Sequence, residues 1–201
     1  SAMFGPAYKG IPLATAAAAS LYNEYGISKP YFFNRKEEKD HGEGGSLVGY
    51  KPKDGDKIII IEDVITAGTA VRETMPILYG CGNVKVNDMF ISVNRCEVGK
   101  VPGKTAIMEV NEEFGIKVHA IVTVEDIHEY LKQSEKYNNI LPAMEDYRQN
   151  IASCKHLPFK LNFIKAAVNE NTNVSFAAAF LYHIIKLRMG YVSYKKMKLF
   201  W

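Results

Sequence analysis

Four consecutive isoleucines, residues 58–61, constrain the fold of this chain more than any other feature. Isoleucine favours strands, and a strand that is apolar on both faces belongs at the centre of a parallel sheet covered by helices. The run ends in Glu62 and Asp63 and continues into the small residues Thr66 to Thr69. Because open parallel sheets bind ligands beyond the carboxyl ends of their strands, we predict a ligand crevice at these acids.

The chain up to about residue 150 alternates between strand and helix patterns, which indicates an α/β fold: a Rossmann-like parallel sheet flanked by helices. Predicted strands cover residues 30–34, 57–61, 85–94 and 118–122. Predicted helices follow the turn at residues 5–10 as far as residue 25 and cover residues 69–79, 105–114, 124–132 and 137–149. We expect Pro76 to kink its helix or end it early, and Thr123 to cap the helix that follows it.

Two segments differ in character from this alternating core. Residues 35–46 contain no apolar residue and three glycines, so they are predicted to form a mobile loop. Residues 151–201 carry a single acidic residue and amphipathic stretches, and we interpret them as an unrecognised helical C-terminal extension. We interpret residues 1–3 as a remnant of an expression vector and residues 4–150 as the core domain.

Composition excludes several classes of protein. The net charge is only +3, with 25 basic and 22 acidic residues, so no nucleic-acid partner is expected. The most apolar late run, residues 174–185, is well short of the ~20 residues that span a bilayer, and no membrane association is expected. Three cysteines without a CxxC pair favour a reduced, cytoplasmic protein.

The acids and the turn after the isoleucines suit a phosphorylated sugar. Carboxylates accept hydrogen bonds from vicinal hydroxyls or hold Mg²⁺, which gives Glu62 and Asp63 a ribose or metal role. Small residues at a helix start expose backbone N–H groups, and such groups bind phosphate. The alternative is an ordinary strand-to-helix turn whose acids stabilise the helix N-terminus.

This stretch resembles the phosphoribosyl pyrophosphate (PRPP) signature of type I phosphoribosyltransferases. Three further segments resemble the orotate phosphoribosyltransferase family in order and spacing: FGPAYKGIPLA at residues 4–14, FNRKEEKDHGEGGSLVG at residues 33–49 and ISVNR at residues 91–95. The resemblance covers roughly residues 4–148. It implies the type I phosphoribosyltransferase core and transfer of a phosphoribosyl group from PRPP to orotate, with Mg²⁺, in pyrimidine biosynthesis. It also implies a homodimer in which the loop at residues 35–46 reaches the neighbouring site.

The resemblance assigns roles residue by residue. Lys39, His41 and Asp63 would be catalytic, and Thr66 and Arg95 would bind orotate. The residues that would bind PRPP are Tyr8, Lys9, Arg35, Lys36, Lys39, His41, Glu62, Asp63, Val64, Ile65, Thr66, Ala67, Gly68, Thr69 and Ala70. Each has an ordinary alternative: Arg95 as a surface ion pair, Lys9 as a helix-start lysine, Tyr8 as a core ring and the loop charges as a solvated surface.

The chain also departs from the family pattern. Family members carry a segment before the first motif, with a core strand, a hood over the base and further PRPP contacts, and this chain begins at the motif itself. We therefore expect the sheet to lack a strand beside its centre and activity to be impaired. The alternative function is a PRPP- or nucleotide-binding regulator without turnover, or an inactive fragment.

Overall fold

The structure is a computed structural model that describes residues 1–36 and 46–150. Its six strands are β1 (Ala2–Gly5), β2 (Tyr31–Asn34), β3 (Leu47–Gly49), β4 (Lys57–Val64), β5 (Lys85–Asn94) and β6 (Lys117–Thr123). Its α-helices are α1 (Gly10–Tyr25), α2 (Thr69–Tyr79), α3 (Ala106–Phe114), α4 (Val124–Leu131) and α5 (Leu141–Asn150), and a short 3₁₀ helix covers Glu135–Tyr137. The predicted extension over residues 151–201 lies outside the described residues.

The six strands form one sheet in the order β3-β2-β1-β4-β5-β6. All neighbouring pairs are parallel except β2 and β3, which are antiparallel. The predicted α/β class with a Rossmann-like parallel sheet is confirmed. The carboxyl ends of the parallel strands lie at one edge of the sheet, and this common edge positions the site described below.

The four isoleucines are buried on both faces of β4, as the sequence predicts. Ile58 and Ile60 belong to a core cluster with Met75 and Leu78 of α2 and Val110 of α3. Ile59 and Ile61 alternate with them along the strand and are also buried. The helices that pack on the face of the sheet with Ile58 and Ile60 present apolar residues to it. In α2 these residues, Val71, Met75 and Leu78, recur at helical spacing and therefore lie on one side of the helix.

The expectation that the sheet lacks a strand beside its centre is wrong. Strand β1 is fully buried and pairs with β2 through Phe4 and Phe32 and with β4 through Phe4 and Ile60. Four residues suffice because both neighbours supply hydrogen bonds to this short segment. Ala2 and Met3, which the sequence analysis assigned to a vector remnant, are thus part of the sheet.

Several element boundaries differ from the predicted ones. Helix α2 does not end early at Pro76 but continues to Tyr79, because Met75 and Leu78 anchor this turn in the core. Strand β4 extends beyond the isoleucines and includes both acids. The helix predicted over residues 137–149 is divided into the 3₁₀ turn and α5, with Pro142 in the first turn of α5, where proline is well tolerated.

Within the two described ranges, no helix combines the length and the apolar character that crossing a membrane would require.

Candidate functional site

The carboxyl ends of β1 and β4 form the switch point of the sheet. The order runs from β1 through β2 to β3 on one side and from β4 through β5 to β6 on the other. The connections that leave β1 and β4 therefore diverge and open a crevice between them, which is where open α/β sheets bind ligands. The turn after β1 and the loop after β4 are the two motifs that the sequence singled out.

The turn after β1 is held tightly between its neighbours. A Cβ atom on Gly10 would come within 2.7 Å of the Ile61 carbonyl oxygen, so only glycine fits where α1 starts against β4. The peptide between Ala7 and Tyr8 is cis, and the Ala7 N–H donates to Asn34 Oδ1 at 2.9 Å. The Tyr8 side chain is 62% exposed rather than a core ring. The turn thus presents Tyr8 and Lys9 to solvent at the crevice.

Lys9 bridges the crevice to the second acid of β4. Its Nζ lies 2.8 Å from Asp63 Oδ2. The hydrogen bond and the negative charge of Asp63 raise the pKa of Lys9, so the ammonium stays charged. Burial raises the pKa of Asp63, but hydrogen bonds from Lys9 and from the Val64 N–H outweigh burial and lower the pKa below its ordinary value. The ion pair brings the two predicted motifs together.

Glu62 occupies a different environment from Asp63. It is 8% exposed, and its Oε1 accepts the Asp63 N–H at 3.0 Å. Burial raises the pKa of Glu62 to about 7. The sequence analysis treated the two acids as a pair facing the crevice, whereas the structure leaves Asp63 the more accessible carboxylate and largely encloses Glu62.

The loop between β4 and α2 offers backbone donors. Gly68 has φ +70° and is the N-cap of α2 without a side-chain cap. The backbone N–H groups of Thr66 through Val71 have no acceptor among the described residues. A small cavity of ≈ 30 Å³ is lined by Thr66, Gly68 and Thr69 together with neighbouring residues. Unpaired amides at a helix N-terminus attract anions, so the arrangement can bind phosphate.

Arg95 follows β5 at the same edge of the sheet. Its Nη2 lies 2.7 Å from Glu97 Oε2, and Glu97 Oε1 accepts the Tyr147 hydroxyl at 2.8 Å. Arg95 Nε is buried without a hydrogen-bond partner in the described part of the chain. The positive charge of Arg95 opposes the rise in the pKa of Lys9, which places Arg95 within electrostatic range of the crevice.

The start of the predicted mobile loop also reaches this region. The Arg35 N–H donates to the Ser46 carbonyl at 2.7 Å and closes the base of the loop. Lys36 Nζ lies 5.5 Å from the centre of the Tyr8 ring, within range of a cation–π contact. Lys39 and His41, the predicted catalytic residues of this loop, lie outside the described residues.

Three residues that contribute to the site were missed by the sequence analysis. Asn34, at the end of β2, fixes the turn through Ala7. Arg72 donates from Nη1 to the Ala67 carbonyl at 2.6 Å, and Glu109 of α3 accepts from Arg72 Nη2 at 3.2 Å. The sequence does show an arginine in the first turn of the helix after the loop. Its role could not be inferred from this alone, because its carboxylate partners lie on a helix distant in sequence.

Comparison with known proteins gives a consistent result. The family model described as phosphoribosyl transferase domain matches residues 2–87. An orotate phosphoribosyltransferase of Clostridium acetobutylicum is 54% identical over 129 residues, which cover 64% of this chain and 57% of the relative. One from Haemophilus influenzae is 46% identical over 147 residues, covering 73% and 67%. The chain thus spans between half and about two thirds of the length of these relatives.

A solved structure agrees with the sequence relatives. The orotate phosphoribosyltransferase of Francisella tularensis superimposes with a TM-score of 0.60 at 36% identity. The match covers 75% of this chain and 70% of that one.

Proposed function

We propose, since this chain belongs to the orotate phosphoribosyltransferase family, that it transfers a phosphoribosyl group from PRPP to N1 of orotate, forming orotidine 5′-monophosphate and diphosphate. One observation carries the proposal: at the switch point of the sheet, an accessible carboxylate, Asp63, near the end of β4 is followed by a loop in which the amides of Thr66 through Val71 have no acceptor among the described residues. A carboxylate can accept hydrogen bonds from the ribose hydroxyls, and the amides can bind an ester phosphate. The two kinds of group therefore match the two ends of a ribose 5-phosphate.

In this proposal the residues around Asp63 and these amides bind different parts of the donor substrate, PRPP. The amides of the loop bind the 5′-phosphate, and Asp63 accepts hydrogen bonds from the ribose hydroxyls. Lys9 binds the diphosphate in the turn with Tyr8, and its ion pair with Asp63 supports this role, because the ammonium lies beside the carboxylate assigned to the ribose hydroxyls. Substrate binding exchanges this ion pair for contacts between Lys9 and the phosphates.

Negative charge gathers on the leaving diphosphate as the bond between it and the ribose breaks, so the site needs positive charge near the diphosphate. We assign this task to Lys39 and His41, with Lys36 and Arg35 at the base of the same loop. The contact between Lys36 and Tyr8 lies within one chain and supports a role for the base of the loop at its own diphosphate turn, whereas Lys39 and His41 are assigned to the neighbouring site. In this proposal the protein acts as a cytoplasmic homodimer, and each loop serves the neighbouring site.

Mg²⁺ enters this proposal with the substrate. The described residues contain no group of three or more His, Cys, Asp or Glu side chains able to hold a metal. We propose that the diphosphate oxygens of PRPP would carry the ion, with Asp63 as the accessible carboxylate of the crevice. A magnesium ion held there would supply positive charge for the leaving group.

Arg95 and Thr66 are proposed to bind orotate. A guanidinium can hold a planar carboxylate with two parallel hydrogen bonds, and Arg95 Nε is buried without a partner among the described residues. Glu97, whose other oxygen accepts the Tyr147 hydroxyl, holds the arginine from one side, which fixes the direction in which its remaining donors point. Thr66 lies at the start of the phosphate-binding loop and lines its cavity.

The proposal is tested by following the absorbance of orotate in the presence of PRPP and Mg²⁺. We expect turnover by the wild-type chain and its loss, by at least a hundredfold in kcat, in Lys39→Ala, in line with the ~10²–10³-fold effects of removing one transition-state donor. Lys85→Ala is the matched control, because Lys85 starts β5 at the opposite edge of the sheet. PRPP binding without consumption of orotate would instead identify a regulator or an inactive fragment.

A further inference from the structure

We infer that Arg72 is a positioning residue for the phosphate-binding loop: it turns the Gly68 amide toward the 5′-phosphate. The inference rests on the proposed function and goes beyond it by explaining how the loop keeps its donors oriented. Arg72 lies in the first turn of α2, and its guanidinium folds back over the helix start. The contacts of this side chain carry the argument.

The Ala67 carbonyl shows the direction of the adjacent amide. Arg72 Nη1 donates to this oxygen at 2.6 Å, so the carbonyl points toward the guanidinium. The peptide between Ala67 and Gly68 is trans, and the C=O and N–H of a trans peptide point in opposite directions. The Gly68 N–H therefore points away from Arg72.

The guanidinium is itself held by two carboxylates of α3. Arg72 Nε lies 2.7 Å from Glu113 Oε2, and Nη2 lies 3.2 Å from Glu109 Oε2. Glu109 is buried, and its other oxygen accepts the Val101 N–H at 2.6 Å. Since a planar guanidinium with three fixed partners has little freedom, its position does not depend on a ligand.

This arrangement argues against a direct charge role for Arg72. Its positive charge faces Glu109 and Glu113, so it is neutralised within the protein rather than offered to the crevice. Gly68 packs closely on the same group, because a Cβ atom there would come within 3.0 Å of Arg72 Nη1. Arg72 thus acts on a phosphate through the geometry of the loop.

Calorimetric titration with ribose 5-phosphate and, separately, with diphosphate tests the inference. We expect Arg72→Ala to weaken ribose 5-phosphate binding about tenfold, or ~1.4 kcal/mol, while diphosphate binding in the turn at Lys9 stays within twofold. Arg72→Lys should lie between, because an ammonium can still donate to the Ala67 carbonyl. Glu112→Gln is the control, since Glu112 neighbours Glu113 but pairs with Lys104. Equal ribose 5-phosphate affinity in Arg72→Ala and wild type would overturn the inference.

A second measurement does not depend on binding. In ¹⁵N relaxation of the ligand-free protein, we expect the Gly68 amide to lose order in Arg72→Ala while the amide of Met75, in the same helix, keeps its order. An unchanged Gly68 amide would overturn the inference. If wild-type protein binds neither PRPP nor ribose 5-phosphate, the proposed function fails, and the Gly68 measurement still decides whether Arg72 orders the loop.

Discussion

Glu62 and Asp63 are adjacent in sequence but differ in their response to pH. Successive strand residues point to opposite faces, so one carboxylate is enclosed by the sheet packing while the other meets Lys9. Burial raises the pKa of Glu62 to about 7, whereas the contacts of Asp63 lower its pKa. The accessible acid is therefore ionised at neutral pH, and the buried one is partly protonated.

This difference makes the stability of the protein depend on pH. The pKa of Glu62 rises from 4.5 in the unfolded chain to about 7 in the fold, so the penalty for ionising Glu62 is absent below pH 4.5. The penalty grows between pH 4.5 and about 7, where the unfolded chain is ionised at Glu62 and the folded one is not, and it stays constant above about pH 7. We expect Glu62→Gln to raise the free energy of unfolding at pH 8 by on the order of 3 kcal/mol relative to its effect at pH 4.5. Urea unfolding at both pH values measures this difference.

The matched control for that experiment is Glu73→Gln, which removes one exposed carboxylate from α2. A Glu62→Gln effect of the same size at both pH values would show that burial of Glu62 does not govern its protonation.

The positions of Asp63 and Arg95 could be predicted from the sequence because they come at or just after the ends of β4 and β5, two strands that the sequence indicates. Lys9 follows β1, a strand that was not predicted, so its place came only from the resemblance. Arg72 and Asn34 could not be predicted in the same way. Their roles depend on contacts across the fold, such as the contact of Arg72 with Glu113 on another helix.

At the level of single elements, helix α4 has the best-defined start. The Thr123 hydroxyl accepts the Asp126 N–H, and the Asp126 carboxylate accepts the Thr123 N–H at 2.7 Å, which forms a capping box. The prediction that Thr123 caps this helix is confirmed. The helix follows β6 directly, so the cap also fixes how the chain turns away from the sheet.

Removing this cap should destabilise the protein by a modest amount. We expect Thr123→Ala to lower the free energy of unfolding by about 1 kcal/mol, because the Asp126 N–H loses the hydroxyl that accepts its hydrogen bond. Thr123→Ser keeps the hydroxyl and is expected to retain most of the stability. Thermal unfolding followed by circular dichroism compares the two, and equal losses in both variants would assign the effect to packing of the Thr123 methyl group instead.

Elements with a strong hydrophobic period were predicted within a residue or two, as with α2, β5 and α3. Strand β3 was missed because three residues, Leu47 to Gly49, are too few for a period to be recognised. The early end expected at Pro76 was wrong because buried neighbours hold the last turn of α2 together. Tertiary packing overrides local preference in such cases.

For the molecule as a whole, the sheet order could not be derived from the alternation of strands and helices alone. The central position of β1 depends on pairing between residues 2–5 and residues 58–60, which no local pattern reports. The resemblance to a family predicted the fold. The expectation of a missing strand was wrong because β1 immediately precedes and overlaps the first motif. The position of β1 in the sheet is therefore set by strand pairing across the fold and not by composition.

Ligand binding should stabilise the whole fold. At a PRPP concentration 100 times its Kd, with Mg²⁺, we expect about 2.7 kcal/mol of additional stability, which corresponds to roughly 5–10 °C in Tm for a chain of this size. Differential scanning calorimetry measures the shift. Asp63→Ala should abolish most of it, and Lys85→Ala should preserve it. A shift of full size in Asp63→Ala would place the bound PRPP elsewhere on the protein.

The ion pair between Lys9 and Asp63 joins residues that are 54 positions apart, one in the turn after β1 and the other on β4, the two strands that flank the switch point. A chain in which only one half of the sheet has assembled can contain helices and strands, yet it has one wall of the crevice and no counterpart. The substrate would therefore bind fully folded molecules and not partly assembled ones. Substrate binding would be among the last properties that a refolding chain acquires.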